Sequence, residues 1–279
     1  MKTILITGCS SGIGLCAAKQ LHQLGYQVIA TVRSSQDEIP LKQLNITTTL
    51  LDLTDSTSIH DAFKFAVEHF NGHIDALFNN AAFGQPGAVE DLSRDVLRQQ
   101  FETNVFGTQE LTNLVIAQMR QQGYGRIIYN SSVLGFISMA YRGAYNASKY
   151  ALEGLVDTLR LELYDTNIYL SLIEPGPITS QFRANAFTKY QQNIVKEASV
   201  HHAIYDAMER RLTKKGPAVP FTLPPEAVVK KLIHALESKR PKIRYYVTFP
   251  TYLFGFLKRL LPHRSLDWAL IKLSQDEHK

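Results

Sequence analysis

The sequence has little cysteine and no long apolar run near its start, and each absence excludes a class of protein. Only Cys9 and Cys16 occur among the 279 residues, and two cysteines cannot build a disulfide framework. No nearby histidine spacing suggests zinc, so we expect buried or semi-buried thiols in a reducing compartment and no metal site. The early apolar run Ile4-Leu5-Ile6 breaks at Gly8, which indicates no signal peptide. We therefore expect a cytoplasmic protein.

Repeats, low-complexity stretches and linkers are also lacking, which favours one domain over residues 1–279. A hydrophobic content of 45% and a charged content of 20% are ordinary for a soluble globular chain. The formal net charge of +5 is modest and spread along the chain. It fits an anionic ligand such as a phosphorylated cofactor, although many basic proteins have no such ligand. We expect no nucleic-acid partner.

Short apolar runs alternate with amphipathic segments along the chain. The runs are continuous and often β-branched, as in strands that helices cover on both faces. This alternation predicts an α/β fold, a single doubly wound Rossmann-like domain with a parallel sheet and right-handed crossovers. The first six strands are predicted at 3–6, 28–32, 48–51, 76–78, 126–129 and 169–173. One helical stripe is predicted to comprise Leu152, Leu155, Val156, Leu159 and Leu163.

Two segments depart from this alternation. Residues 177–223 follow the sixth strand and carry several aromatic residues, and an insertion this long favours a substrate lid. The tail, residues 249–279, is apolar with a basic end. It is too short for a transmembrane helix and is interrupted by Pro250 and Gly255. A peripheral membrane contact, a lid on a lipophilic pocket, and packing against the domain or a second subunit stay open for it.

A glycine-rich turn, Thr7-Gly8-Cys9-Ser10-Ser11-Gly12-Ile13-Gly14, joins the first strand to the first helix. Glycines suit a tight turn and allow the backbone to approach a pyrophosphate, and the helix N-terminus beyond offers free amides. The spacing differs from the common G-x-G-x-x-G pattern. A plain strand-to-helix corner is therefore the alternative to a dinucleotide site.

Polar residues follow the next three strands. Arg33 comes after the second strand with no acid before Asp37, which favours NADP over NAD because an arginine accommodates a 2′-phosphate; a solvated surface arginine is the alternative. Asp52 follows the third strand, where it can accept a hydrogen bond from an adenine amino group or cap the next helix. In Asn79-Asn80-Ala81-Ala82, after the fourth strand, the small residues allow a ribose to lie close and an amide can brace neighbouring loops.

Asn104, Ser132, Tyr145 and Lys149 form the strongest candidate for a catalytic set. Tyr145 and Lys149 stand at positions i and i+4 of a helix, so both can point at one reacting centre. A free tyrosine has a pKa of about 10, and we expect the neighbouring ammonium to lower it toward the useful range. Ser132, thirteen residues before Tyr145, can donate a hydrogen bond to a substrate oxygen.

Most of these candidates stand just after a predicted strand. In open α/β sheets, ligands bind outside the carboxyl ends of the strands. Six independent coincidences at one edge are improbable, so the set indicates one site. Its members after strands one to six are Gly8, Arg33, Asp52, Asn80, Ser132 and Pro175-Gly176.

In order, these motifs resemble those of the short-chain dehydrogenase/reductase family, over roughly residues 2–248. The resemblance implies a parallel sheet of about seven strands in the order 3-2-1-4-5-6-7. The resemblance implies that Tyr145 is the general acid or base and that Ser132 orients the substrate oxygen. Lys149 would hold the nicotinamide ribose and depress the tyrosine pKa, and Asn104 would hold a water in the proton path. Ala82 departs from the family's usual glycine. The cofactor-binding residues implied are Gly8, Ser10, Ser11, Gly12, Ile13, Gly14, Arg33, Asp52, Leu53, Asn80, Ala81, Tyr145, Lys149, Pro175, Gly176, Ile178 and Thr179.

Within the family, the first turn and the second strand resemble the branch of 17β-hydroxysteroid and retinol dehydrogenases. The segments at 241–245 and 257–262 resemble bacterial NADP-dependent reductases of medium- and long-chain aldehydes. We therefore expect an NADPH-dependent reductase of a lipophilic carbonyl, with NAD less favoured. The alternatives are a steroid or retinol dehydrogenase and a non-catalytic NADP(H)-sensing protein. The resemblance also implies a homodimer or homotetramer built through helices at 104–122 and 144–165.

Overall fold

The structure, a computed structural model, describes residues 2–277. Its centre is one sheet of seven parallel strands in the order β3-β2-β1-β4-β5-β6-β7, so the predicted fold class and strand order are confirmed. The strands are β1 Thr3–Ile6, β2 Gln27–Val32, β3 Thr47–Leu50, β4 Ala76–Asn79, β5 Gly125–Asn130, β6 Ile168–Glu174 and β7 Arg244–Tyr246.

The helices lie between and after the strands. A π-helical turn, Glu102–Gly107, separates two of them. The helices are α1 Gly12–Gln23, α2 Ser35–Lys42, α3 Ser56–His69, α4 Arg94–Phe101, α5 Thr108–Gln122, α6 Gly143–Glu162, α7 Phe182–Asn193, α8 His202–Thr213, α9 Glu226–Glu237, α10 Phe249–Leu260 and α11 His263–Glu277.

Two apolar layers cover the sheet, which explains why its strands lack polar alternation. Alternate residues of β1 point to opposite layers. Ile4 and Ile6 pack with residues of α1 and α9, whereas Leu5 packs with α3, α5 and α6. The predicted stripe on α6 lies in the second layer except for Leu155, which is 37% exposed. The prediction for Leu155 is wrong because a helix so placed buries only part of its circumference.

The order of the strands fixes where a ligand can bind. The chain runs from β1 to β2 and β3 on one side, then returns to β4 beside β1 and continues outward to β7. The direction reverses between β1 and β4, and the crevice at such a switch point is where open α/β sheets bind ligands. Thr7 N donates to Phe78 O at 3.0 Å and so holds the start of the loop after β1 against the end of β4 at this point.

The two irregular segments noted in the sequence are largely helical. The segment 177–223 contains α7 and α8, which pack on the loop after β4 through an apolar cluster that includes Tyr190, Tyr205 and Leu92. The tail contains α10 and α11, which pack on residues near Leu134 and Ile137. Within residues 2–277, no helix is long and apolar enough to cross a membrane.

Candidate active site

The glycine turn leaves the N-terminus of α1 open. Gly8 and Gly12 have φ angles of 72° and 55°, a region that favours glycine. Ser11 caps α1 without a side-chain hydrogen bond, and the first turn of the helix carries no acidic residue. A Cβ at Gly14 would lie 2.1 Å from the carbonyl oxygen of Gly8, so only glycine allows the helix to pack this closely. Open amides at a helix N-terminus fit a diphosphate.

The outer loops carry the candidates for the adenosine half of a dinucleotide. Arg33 is exposed just after β2 and has no carboxylate partner among the described residues. Asp52 is exposed after β3, and its Oδ1 accepts hydrogen bonds from both the backbone N and the hydroxyl of Thr54, at 2.9 and 2.8 Å. The cap of α3 is instead Asp55, whose carboxylate accepts from Thr57 N. Asp52 therefore orders its own loop and does not cap the helix.

Asn80 joins three loops at the switch point. Its Nδ2 donates to the carbonyl oxygens of Thr7 and Gly8 at 2.9 and 3.1 Å. Its Oδ1 accepts from Asn130 Nδ2 at 3.0 Å. The hydroxyl of Thr7 in turn accepts from the backbone N of Asn80 and of Ala81. The expectation that an amide braces neighbouring loops is therefore confirmed. The loops also lie close together, since a Cβ at Gly8 would lie only 2.9 Å from the Ala81 Cα.

The loop after β6 closes the other side of this edge. Pro175 O accepts from Val133 N at 2.9 Å, which ties the loops after β5 and β6 together. A Cβ at Gly176 would lie 2.2 Å from the Thr248 hydroxyl, so the backbone passes close to the start of α10. Thr179 N donates to Leu223 O at 2.9 Å and pins the two ends of the 177–223 segment to each other.

Ser132 and Tyr145 meet at the carboxyl end of β5. The Ser132 hydroxyl accepts from Leu134 N at 3.1 Å, which leaves its own proton for the phenol oxygen of Tyr145. Lys149 is buried one helical turn after Tyr145, and its ammonium lies 5.7 Å from the Tyr145 ring centroid. The Lys149 Nζ donates to Asn130 O at 2.7 Å. The three predicted side chains therefore converge on one point.

The electrostatics of this cluster differ from the sequence expectation. Burial raises the pKa of Tyr145 to about 12, and the hydrogen bond from Ser132 opposes that rise only in part. Burial also lowers the pKa of Lys149 to about 8, while Glu153 opposes that shift. The expectation that Lys149 brings the phenol pKa below its usual value is wrong for this arrangement, because desolvation dominates and the opposing contribution comes from Ser132, not from Lys149. Tyr145 is consequently a protonated phenol at neutral pH.

Asn104 supports the site through the backbone around it. Its Oδ1 accepts from Phe83 N at 3.1 Å, and its Nδ2 donates to Phe83 O at 3.0 Å and to Ser148 Oγ at 3.1 Å. The side chain lies in the π-helical turn, a feature often found at functional sites. Asn104 thus connects the loop after β4 to Ser148 of α6, the residue before Lys149.

A buried charge network behind the site was missed by the sequence reasoning. Ser131 donates to Glu153 Oε1 at 2.5 Å, and Arg244 Nη2 lies 2.9 Å from Glu153 Oε2. Arg244 also reaches Asp157 at 2.8 Å and Glu174 at 2.9 Å. The four-residue spacing of Lys149 and Glu153 along α6 could have predicted that these two side chains lie close together. Glu174 and Arg244 are distant in sequence and become neighbours only because β6 pairs with β7.

An aromatic side chain of the 177–223 segment covers the candidate catalytic tyrosine. The ring of Phe182 lies edge-on to that of Tyr145, with 5.3 Å between centroids. A Cβ at Gly84 would lie 2.8 Å from the Phe182 ring and 3.6 Å from the Tyr145 ring, so the backbone also approaches closely. The Tyr145 side chain is therefore flanked by the Phe182 ring and by the backbone at Gly84.

The predicted residues divide along the edge according to the strand that precedes them. Arg33, Asp52 and the buried Leu53 follow β2 and β3, on one side of the switch point. Ser132 and the Pro175 loop follow β5 and β6 on the other side. Described contacts link the glycine turn, Asn80, Asn130, Lys149, Tyr145 and Ser132 into one continuous set. Within residues 2–277, no group of three or more metal-ligating side chains occurs.

The two cysteines are inert in this arrangement. Cys9 is buried in the glycine turn and Cys16 is half-buried in α1. Burial raises the pKa of both thiols, that of Cys16 to about 11. Both are free and buried or half-buried, as the sequence predicted, and their raised pKa values make them poor nucleophiles.

Comparison with known proteins agrees with this geometry. Residues 2–191 match the family model for short chain dehydrogenases. The oxidoreductase YbbO of Escherichia coli is 41% identical over 269 residues, which cover 96% of this chain and 94% of that protein. Human retinol dehydrogenase 8 is 31% identical over 258 residues, which cover 87% of this chain and 80% of that protein.

A solved structure shares the fold. A short chain dehydrogenase/reductase from Burkholderia phymatum, solved in complex with NAD, superposes with a TM-score of 0.78 at 22% identity and covers 96% of this chain and 95% of its own. The family match spans more than half of the chain, and the relatives cover most of its length. The chain belongs to the short-chain dehydrogenase/reductase family of oxidoreductases.

Proposed function

We propose that this oxidoreductase uses NADP(H) to transfer hydride between the nicotinamide and a lipophilic carbonyl or alcohol, and that it acts as an aldehyde reductase. The observation that carries the proposal is the hydrogen-bonded pair of Ser132 and Tyr145 beside the buried ammonium of Lys149. Their place at the switch-point edge, next to an open helix N-terminus, supports a dinucleotide partner.

The protonation state of Tyr145 favours the direction of reduction. When bound, the cofactor supplies hydride at the nicotinamide C4. A phenol whose pKa is raised to about 12 holds its proton at neutral pH and can deliver it to a carbonyl oxygen as negative charge develops there. The Ser132 hydroxyl can donate a second hydrogen bond to the same oxygen. Lys149, with a pKa lowered to about 8, exchanges protons readily near neutral pH.

An apolar substrate fits the surroundings of Tyr145. Phe182 lies against the phenol, and α7 and α8 place further aromatic residues in one cluster. We propose that residues 177–223 act as the substrate lid, since Phe182 belongs to that segment. A lipophilic aldehyde or ketone that enters there would meet the aromatic ring of Phe182 beside Tyr145.

The cofactor would be held by residues on both sides of the switch point. The amides of Ser11 to Gly14 suit the diphosphate, and Lys149 suits the nicotinamide ribose. Arg33, exposed and without a carboxylate partner among the described residues, supports a 2′-phosphate and hence NADP. Asp52 keeps Oδ2 for an adenine amino group because its described hydrogen bonds from Thr54 use Oδ1.

Replacing Tyr145 by phenylalanine tests the catalytic part of the proposal. Tyr145→Phe removes the proton donor while retaining the ring, so turnover of an aldehyde should fall by about 10² to 10⁴. Tyr150→Phe is the matched control, since Tyr150 lies in the same helix but is exposed. Near-normal turnover in Tyr145→Phe would contradict the role of Tyr145 as proton donor. If the unaltered protein binds NADPH but consumes none with a panel of aldehydes, ketones and alcohols, the non-catalytic NADP(H)-sensing protein is favoured instead.

Replacing Arg33 tests the choice of cofactor. Thermal-shift titrations should show a larger response to NADPH than to NADH, and Arg33→Ala should weaken the response to NADPH alone. Arg120→Ala, at an exposed position on α5, is the control. Equal responses of the unaltered protein to both nucleotides would contradict the assignment of NADP.

A steroid or retinol dehydrogenase is the second candidate, favoured by the likeness to retinol dehydrogenase 8. Relative turnover of long-chain aldehydes, retinal and steroids separates the two. A homodimer or homotetramer through α5 and α6 stays part of the proposal, because the neighbouring Phe106 and Leu155 are exposed. The cytoplasmic location also stays a prediction.

A further inference from the structure

Helix α10 has an apolar face that the protein does not cover. Its inner face is buried through Thr251, Phe254 and Gly255. A second row of large apolar side chains points outward at positions i, i+3, i+4, i+7 and i+11, and Phe256 in this row is 61% exposed. This outward row, named here the α10 stripe, consists of Phe249, Tyr252, Leu253, Phe256 and Leu260.

A stripe of this kind is unusual on a helix that already buries its other side. An amphipathic helix normally turns charged residues to the solvent. Contiguous exposed apolar residues mark a surface that binds a partner or a membrane. Phe221 extends the surface, since it is exposed and its ring lies 4.9 Å from that of Phe249.

A basic recess opens directly beside the α10 stripe. It has a volume of about 260 Å³ and is lined only by lysine, arginine and tyrosine side chains. Tyr252 belongs to both features, and Arg259 follows it at i+7 on the same face of α10. The lining residues of this basic recess are Lys231, Lys242, Arg244, Tyr245, Tyr246, Tyr252 and Arg259.

The positive charge of the basic recess is only partly neutralised by the protein. Arg244 is already paired with carboxylates. Lys231, Lys242 and Arg259, however, form no ion pair in the part of the chain that the structure describes. Three unpaired cations and several tyrosine rings around one recess are complementary to a phosphate group.

We propose that the α10 stripe and the basic recess together form one surface that seats this protein on a membrane containing anionic phospholipids. The stripe enters the headgroup and acyl boundary, while the recess accepts a phosphate of a headgroup. Apolar burial and attraction to anionic lipid are the two components of interfacial binding. Here the apolar stripe on α10 lies beside a basic recess that α9, β7 and α10 line together. This role is independent of the hydride-transfer proposal, and it goes beyond that proposal.

The geometry favours a lipid surface over a second copy of this chain. In a symmetric dimer formed through this surface, Arg259 and its neighbours would face either the same basic residues or the α10 stripe of the second copy. The basic recess would then bring like charges together, whereas an anionic membrane neutralises them. The contact of Phe221 with Phe249 also connects the surface to the 177–223 segment, so a substrate dissolved in lipid would arrive beside its lid.

Vesicle sedimentation tests this surface without cofactor or substrate. Full-length protein is mixed with vesicles of phosphatidylcholine alone or of phosphatidylcholine with phosphatidylglycerol. We expect binding to the anionic vesicles that weakens with salt. Phe256→Glu should reduce binding at least about tenfold, since it places a charge in the buried face. Arg259→Glu should reduce it by about ten- to thirtyfold, because each charge near an anionic surface contributes about a factor of five.

Matched controls separate this effect from a loss of folding or of net charge. Tyr164→Glu changes an aromatic residue that is 84% exposed after α6, and Arg120→Glu reverses a charge on α5. Both controls should bind like the unaltered protein, and all four variants should unfold at similar temperatures.

Four outcomes would overturn the proposal. These are no binding to anionic vesicles, equal losses in the controls, and stabilisation by inorganic phosphate without vesicle binding. The fourth is a dimer that Phe256→Glu converts to a monomer while vesicle binding is unchanged. Because the assay contains no nucleotide, its failure leaves the hydride-transfer proposal untouched, and an inactive Tyr145→Phe variant should still bind vesicles.

Discussion

Glu174 should make the stability of this protein fall as the pH rises, and Glu174→Gln should remove that dependence. Glu174 is fully buried at the end of β6, and its Oε1 lies 2.9 Å from Arg244 Nε. Glu153 and Asp157 bind the same guanidinium at 2.9 and 2.8 Å. One cation therefore faces three carboxyl groups, and it cannot compensate for all of them when ionised.

The magnitude follows from the shifted pKa. Burial, with Glu153 adding to it, raises the pKa of Glu174 to about 8 from an ordinary value of 4.5. Between those values the folded protein holds one proton more than the unfolded chain. The stabilisation is therefore complete below the unfolded pKa and is lost as the pH rises through the folded one. The slope is about −1.4 kcal/mol per pH unit, with a total of roughly 4–5 kcal/mol as an upper limit.

Urea unfolding at several pH values measures this slope. Glutamine resembles the protonated carboxyl and does not titrate, so the Glu174→Gln variant should gain stability relative to the unaltered protein from about pH 5 to pH 9. Glu68→Gln, at an exposed position paired loosely with Lys64, should change nothing. Identical slopes for the unaltered protein and Glu174→Gln would refute the reasoning. If Glu153→Gln alone flattens the slope, the shared proton belongs to Glu153.

Two further predictions concern stability. Gly154 lies exposed inside α6 with open space where a Cβ would stand, so Gly154→Ala should raise the free energy of unfolding by about 0.5–1 kcal/mol. At Gly107 a Cβ would lie 1.8 Å from a carbonyl oxygen, so Gly107→Ala should strongly destabilise the protein. Urea titration of the two variants measures this contrast. Thr112 accepts from Asn79 at 2.8 Å and from Tyr129 at 3.0 Å in the core, so Thr112→Val should cost about 1–3 kcal/mol. Tyr129→Phe added to Thr112→Val should recover part of that loss, and no recovery would contradict the pairing.

The alternation of apolar runs and helical stripes was enough to predict a parallel sheet, because each run had to be covered on both faces. The order of its strands was predictable only from the family resemblance. The six predicted strands match β1 to β6 within two residues at each end. The seventh, Arg244–Tyr246, is only three residues long and carries no such run. Leu155 was misplaced because periodicity gives a direction around the helix axis and not the width of the contact.

The candidate site was predictable to the extent that its residues follow strands or share a helix face. Ser132, Tyr145 and Lys149 meet as expected. The pKa of Tyr145 was not predictable, since it depends on how much protein surrounds the phenol. Phe182 and Arg244 come from distant segments, and no local spacing marks residues that only tertiary packing brings together.

The brace formed by Asn80 has a consequence for ligand affinity. Its amide connects the backbone of Thr7 and Gly8 with the side chain of Asn130, so three loops share one anchor before any nucleotide arrives. A loop already fixed in its binding conformation loses little conformational entropy on association, so more of the free energy of the contacts appears as affinity. Removing this anchor should therefore leave the turnover at saturating cofactor unchanged but raise the cofactor concentration needed for half-saturation. The backbone amides of the three loosened loops should then exchange their hydrogens together.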